Sequence, residues 1–253
     1  MGEHELQRLI AEALRPMIER WFAQQRTLAH VGADQFFYWA EGDSSQRIAP
    51  DVYVVPDVPQ NPPVASWKLW ESSARPSFAL EVVGQDIDKD YDDNPVLYRA
   101  LGLDELVLFD PHATPRSRRR LRWQVFRKLR ARGLVRTHVF NGDRVHSRAL
   151  GCWLRELTVD GRLTLRLATG EHGDDLVPTE LEAERAAKES ERAAREQAEA
   201  TAAAERSARE QAEAIAAAER SVSALERAAR EQAEAELARL RAALAALEDE
   251  RRR

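Results

Sequence analysis

The chain has 253 residues, 43% of them hydrophobic and 32% charged, with a formal net charge of −5. That length holds one large domain or two small ones, and so mild a charge neither favours nor excludes a nucleic-acid partner. A single cysteine, Cys152, excludes an intrachain disulfide framework and a cysteine-rich zinc site; between Gly151 and Trp153 it is expected to be a small core residue.

No apolar run reaches the roughly 18 residues of a membrane span, and no basic segment leads into an apolar one at the N-terminus. A soluble cytoplasmic bacterial protein without signal peptide or membrane span is therefore expected. Composition divides the chain. All the aromatic residues and nearly all Gly and Pro precede residue 176, whereas from Glu180 onward there is no aromatic, Gly or Pro. A folded domain over 1–175 and a helical tail over 176–253 are predicted.

In chain order, residues 4–29 carry helical periodicity, with Leu6, Leu9, Ile10, Leu14, Met17, Ile18, Trp21 and Phe22 recurring at three and four. Strands are predicted over 36–40 and 47–55, split by the turn around Gly42-Asp43-Ser44-Ser45, and a proline-rich loop follows over 56–63. Buried strands are expected at 78–83 and 106–109. Between them, 94–101 reads as a helix capped by Asn94 with Pro95 in its first turn. Beyond Asp110-Pro111 the pattern turns antiparallel, with strands at 121–129, 134–140 and 163–167. This order suits an α/β core with a mixed sheet flanked by helices.

The tail repeats itself. The segment from Glu191 to Ala200 recurs nearly unchanged from Glu205 and from Glu226, offsets of 14 and 21 residues. Multiples of seven in a run of strong helix formers predict a long coiled coil. Ala194, Ala208, Ile215, Val222 and Ala229 share one heptad position, a mostly alanine seam that buries little area. Leu237, Leu240, Leu244 and Leu247 form a firmer stripe at the end. A parallel homodimer is the expected assembly; a solvated single helix held by Glu–Arg pairs four residues apart is the alternative.

Two carboxylates stand out. Asp51, in Ile48-Ala49-Pro50-Asp51-Val52-Tyr53-Val54-Val55, and Glu81, in Ser77-Phe78-Ala79-Leu80-Glu81-Val82-Val83, are lone acids in short apolar runs. Ionised there, each is costly unless neutralised. On neighbouring strands the two would repel each other unless a divalent cation sat between them. Outward-facing acids, or buried acids each paired with an arginine, are the alternatives.

From Pro111 to Gly142 the chain has no acidic residue but carries Arg116, Arg118, Arg119, Arg120, Arg122, Arg127, Lys128, Arg130, Arg132 and Arg136. Such a one-signed stretch is the footprint of a phosphate-backbone contact, with Arg118, Arg120, Arg122, Arg127 and Lys128 as its candidates. A solvated hairpin face is the alternative. The acidic run Asp86, Asp88, Asp90, Asp92 and Asp93 lacks the glycine and terminal glutamate of an EF-hand loop, and reads as a solvated loop.

Ordered motifs carry a resemblance. Phe37-Tyr38-Trp39, then Ala49-Pro50-Asp51-Val52-Tyr53, Lys68-Leu69-Trp70-Glu71, Glu81-Val82-Val83, Tyr98-Arg99-Ala100-Leu101-Gly102 and Leu108-Phe109-Asp110-Pro111 follow in sequence. Their order and spacing resemble the bacterial Uma-two family of restriction-endonuclease-like proteins, and Pro50-Asp51 with Glu81-Val82-Val83 resembles the PD-(D/E)XK signature. The resemblance implies a restriction-endonuclease-like core and a metal-dependent endonuclease acting on DNA. It also implies Mg²⁺, or Mn²⁺, held by Asp51, Glu81 and the Val82 carbonyl.

The lysine that the wider fold carries two residues after the glutamate is Val83 here. A lysine many family members carry four residues before the tyrosine is Asn94. Lys89 is the only lysine in that segment and the candidate substitute, as catalytic base or phosphate contact. The two departures leave a second expectation open, a retired nuclease core used as a coiled-coil interaction module.

Overall fold

The computed structural model describes residues 3–251 apart from Asn61 and Pro115, with side chains described for residues 5–242 and 244 apart from the same two. Leu247 in the predicted stripe therefore lies outside the described side chains. The chain forms two compact units, 1–181 and 182–253.

The first unit is built on a six-stranded sheet of order β1-β4-β6-β7-β8-β9. These strands are Ala29–Gly32, Val52–Pro56, Phe78–Val82, Glu105–Phe109, Trp123–Leu129 and Gly133–Phe140. β6 and β7 run parallel while the other neighbours are antiparallel, so the sheet is mixed as expected. A parallel pair needs a crossover. Here it is α2, Asn94–Leu101, which ends where Gly102 adopts a left-handed φ of 85°.

Both faces of the sheet are covered, which explains why β6 and β7 are buried at every position. On one face Val52, Val54, Leu80, Val82 and Val107 pack with Ile10, Leu14 and Ile18 of α1 (Glu3–Gln24). Leu154, Leu165 and Leu167 join them from a second sheet, β10-β11-β12-β13 (Arg144–Ser147, Cys152–Val159, Arg162–Thr169, Asp175–Leu176). On the other face Tyr53, Val55, Ala79, Val83 and Leu108 pack with Tyr98 and Leu101 of α2. Phe37, Ile48 and Trp67 join from a small sheet of β2 (Phe37–Tyr38), β3 (Arg47–Ile48) and β5 (Trp67–Lys68).

Several boundaries differ from expectation. The first helix stops at Gln24 rather than 29: Arg26 takes a φ of 54°, and Ala29 begins β1, which pairs with β4. The predicted strand over 47–55 is two, β3 and β4, interrupted at Ala49-Pro50-Asp51. Before α2 lies a π-helical turn, Lys89–Asp93, so Asn94 does not cap the helix; its side chain donates to Asp90 instead. Strands β10, β11 and β13 were not expected, but Cys152 is buried in the core as anticipated.

The second unit is helical. α3 spans Glu180–Arg251, and its described side chains within the unit are exposed apart from that of Ala183. Pairs four residues apart, Lys188–Glu184, Arg192–Glu196 and Arg195–Glu199, line it at 2.7, 2.9 and 3.0 Å. Among the described residues no helix is long and apolar enough to cross a membrane.

Candidate active site

β4 and β6 pair antiparallel with Val52 opposite Leu80 and Tyr53 opposite Ala79. One step further along that register brings Asp51 opposite Glu81. By strand alternation both side chains leave the sheet on the α2 face. Alternation is also why each acid interrupts an apolar run: Leu80 and Val82 beside Glu81, and Val52 after Asp51, point into the core facing α1.

The backbone N–H of Val82 donates to Asp51 Oδ2 at 2.7 Å. The Tyr98 hydroxyl of α2 donates to Glu81 Oε1, a contact made in the fully buried interior. Burial pushes the Asp51 carboxyl up to about 6, against the Val82 N–H and the Lys89 ammonium, which lower it. Glu81 is raised well above its ordinary value, first by burial and then by the charge of Asp51. Asp90 raises both, and Lys89 lowers both.

Lys89 thus bears on the pair, from the exposed start of the π-helical turn. The positions where the wider fold carries lysine are otherwise committed. Val83 is 1% exposed in the core, and the Asn94 amide donates to Asp90 Oδ1 at 3.2 Å. Asp90 itself is the site residue that the sequence reading missed. It is buried, and its Oδ2 accepts from the Gly84 N–H at 2.8 Å, tying the π-helical turn to the chain leaving β6. The four-residue spacing of Asp90, Asn94 and Tyr98 was the available signal, hidden among four other aspartates.

The donor set fits a hard divalent cation. Two facing carboxylates, both disfavoured as anions by burial and by neighbouring acids, are what such an ion relieves. Mg²⁺ commonly takes one or two carboxylates and completes its shell with water and substrate oxygens. The Val82 carbonyl accepts from Gln7 Nε2 of α1 at 2.7 Å, using one of its two lone pairs. Among the described residues no group of three or more His, Cys, Asp or Glu side chains gathers as a metal cluster.

The basic stretch is less available than its sequence suggests. Arg127 is buried, with Nε 2.7 Å from Glu105 Oε2 and a further bond to the His146 carbonyl, so it is a structural ion pair and not a phosphate contact. Arg122 pairs with Glu156 at 3.1 Å and donates to the carbonyls of Asp110 and Pro111. Arg120 bridges buried Asp110 and the Gly84 carbonyl. Lys128 is exposed but paired with Asp104 at 3.0 Å. Arg118 stays exposed. Its neighbours hold the loop beside the site, Arg119 to Asp88 at 2.5 Å and Arg120 to Gly84.

The Arg127–Glu105 pair has a measurable consequence. Glu105 is 2% exposed, and removing its partner strands a buried charge. Arg127→Met is expected to destabilise the protein by about 3–5 kcal/mol, read by urea unfolding. A loss no larger than that of a surface substitution would show that the pair is not holding β8 against β7.

The mixed α/β core, with helices and small sheets covering both faces of its six-stranded sheet, has the architecture of a nuclease-like fold. Residues 1–160 match the Uma2 family, described as "Putative restriction endonuclease", and the chain belongs to that family. A crystal structure of a protein described as "a putative nuclease belonging to DUF820" from Anabaena variabilis aligns over 60% of this chain and 75% of that one, at 18% identity and a TM-score of 0.39. No curated protein matches.

Proposed function

We propose that residues 1–175 form a Mg²⁺-dependent endonuclease domain, with Mn²⁺ as an alternative ion, that hydrolyses DNA phosphodiester bonds. The supporting observation is the Asp51–Glu81 pair, facing across β4 and β6 with both carboxyls raised by burial. In this reading Asp51, Glu81 and the Val82 carbonyl hold the cation. When bound, the ion supplies Lewis-acid polarisation of the phosphoryl group and activation of water.

The chain's own residues do the rest. The Val82 N–H fixes Asp51, and the Tyr98 hydroxyl fixes Glu81. Lys89 offsets phosphate charge or takes a proton from the attacking water, and Arg118 meets the backbone of the DNA. The test is plasmid cleavage with Mg²⁺ or Mn²⁺ beside Asp51→Ala and Glu81→Ala. Cleavage that survives both substitutions would sink the assignment.

A specific observation favours one rival, a catalytically impaired core serving as an interaction module. Val83 is packed in the core and Asn94 is bonded to Asp90 where lysines belong in the wider fold. Absence of both cleavage and metal binding by calorimetry would support it.

The tail over 176–253 is proposed to pair two chains as a parallel coiled coil, which suits cutting both strands. Ile215, Val222, Leu225, Leu237, Leu240 and Leu244 are each more than half exposed on the single helix. Because the upstream seam is largely alanine, the dimer should dissociate on dilution. Truncation at residue 178 is expected to give a monomer by light scattering at concentrations where the full chain is dimeric; an unchanged mass would count against the coil.

A further inference from the structure

The small sheet β3-β2-β5 has a second face that the site does not use. Its inner row, Ile48, Phe37 and Trp67, is in register across the three strands and buried. The adjacent row, Arg47, Tyr38 and Lys68, is in register on the opposite face. Phe36, just before β2, and Trp70, in the turn after β5, lie beside that outer row and are 41% and 38% exposed.

The outer row is organised. The Phe36 and Tyr38 rings lie 6.0 Å apart, and the Arg47 guanidinium sits 4.7 Å from the Phe36 centroid. Arg47 makes no ion pair among the described residues, and the exposed Lys68–Glu71 pair at 2.8 Å is one a phosphate can displace. A depression of about 380 Å³ opens beside them, lined by Tyr38, Lys68 and Trp70.

Partly exposed aromatic rings interleaved with a lysine and with a guanidinium that makes no ion pair among the described residues are the chemistry that stacks nucleobases along a phosphate chain. In a duplex those base faces are hidden, so the surface fits unpaired nucleotides. It is also tied to the candidate site through the backbone. β3 leads through Ala49-Pro50 directly into Asp51, and the Asp34 N–H, two residues before Phe36, donates to the Pro50 carbonyl at 2.9 Å.

We infer that Phe36, Tyr38, Arg47 and Trp70 form a stacking platform for an unpaired DNA segment, so that the protein acts on DNA with single-stranded character. The inference takes the identity of the polymer from the nuclease reading and nothing else. Asp43 lines the depression, so stacking rather than charge carries the affinity, and the salt dependence should be shallow.

The test uses the full chain in EDTA, with fluorescein-labelled oligo-dT followed by anisotropy and by tryptophan quenching. A blunt duplex and oligo-U of equal length are the comparisons. Oligo-dT is expected to bind tightest. Phe36→Ala and Trp70→Ala should each weaken it about tenfold, and Phe36→Tyr should restore it to within about twofold. All these side chains are exposed, so thermal midpoints should not move. No binding of oligo-dT, equal binding of duplex, preference for oligo-U, or a Phe36→Ala/Trp70→Ala variant within about twofold of wild type would each overturn the inference. Binding without metal separates the two proposals. Oligo-dT bound by a protein that cannot cut DNA removes the nuclease and leaves the platform; cleavage with unaffected double-variant binding does the reverse.

Discussion

Glu81→Gln is expected to abolish divalent-dependent DNA cleavage, by at least about a hundredfold, while leaving the protein folded. The substitution is nearly isosteric and keeps an oxygen to accept from the Tyr98 hydroxyl, so the packing against α2 survives. What disappears is the charge. With it goes half of the carboxylate pair that would attract the cation. Tyr98→Phe provides the contrast. It leaves the carboxylate in place but removes the donor that orients it, and a loss of about 10–100-fold in metal affinity or activity is expected. The measurement is loss of supercoiled plasmid with time, alongside Mn²⁺ titration by calorimetry. Equal cleavage by wild type and Glu81→Gln would place the chemistry elsewhere in the molecule.

The central acids were legible because each is an exception to its surroundings. A lone carboxylate in an apolar strand has few physical excuses, and the register of β4 against β6, continued by one step, sets the two opposite each other, which neither run alone could reveal. Asp90 was illegible for the opposite reason. In a stretch of five aspartates nothing in the sequence distinguishes the one that turns inward, and a π-helical turn, which spacing rules do not anticipate, does the turning.

Arg127 failed in a third way. A basic run invites the reading of one solvated face, but β8 lies between β7 and β9, and Trp123 to Arg127 are buried at every position. Arg127 shares its face with Trp123 and Val125, and Glu105, directly opposite on β7, receives it there. The unexpected β10 and β11 close over the same face; Ser147 and the Arg148 N–H both bond to Glu105. Charge along a sequence is thus a poor guide to charge at a surface when the strand is central. The first helix was overextended because Leu28 and Ala29 continue the apolar spacing, while the turn that stops it depends on pairing with β4, a contact beyond the reach of local pattern.

Asp51→Asn is expected to stabilise the metal-free protein at neutral pH, and the direction follows from the raised carboxyl. Burial moves Asp51 from an ordinary value of 3.8 to about 6, so the folded protein holds this proton more tightly than the unfolded chain does. Its contribution to stability is fully present below about pH 4, declines as pH rises, and is lost above about pH 6. Glu81, shifted in the same direction, extends that decline. For Asp51 alone the rise corresponds to roughly 3 kcal/mol, or on the order of 6–12 °C in thermal midpoint for a domain of this size. Asparagine keeps an acceptor for the Val82 N–H and carries no charge, so in EDTA its midpoint should exceed that of wild type at pH 7.5 and converge with it near pH 4. Adding Mg²⁺ or Mn²⁺ should reverse the order, because an ion that binds only the folded state raises the wild-type midpoint in proportion to the logarithm of its concentration. A variant lacking one of the two carboxylates gains little. A wild-type midpoint indifferent to both pH and divalent ions, relative to Asp51→Asn, would mean that Asp51 reaches water and is paired with no cation, and the metal assignment would fall with it.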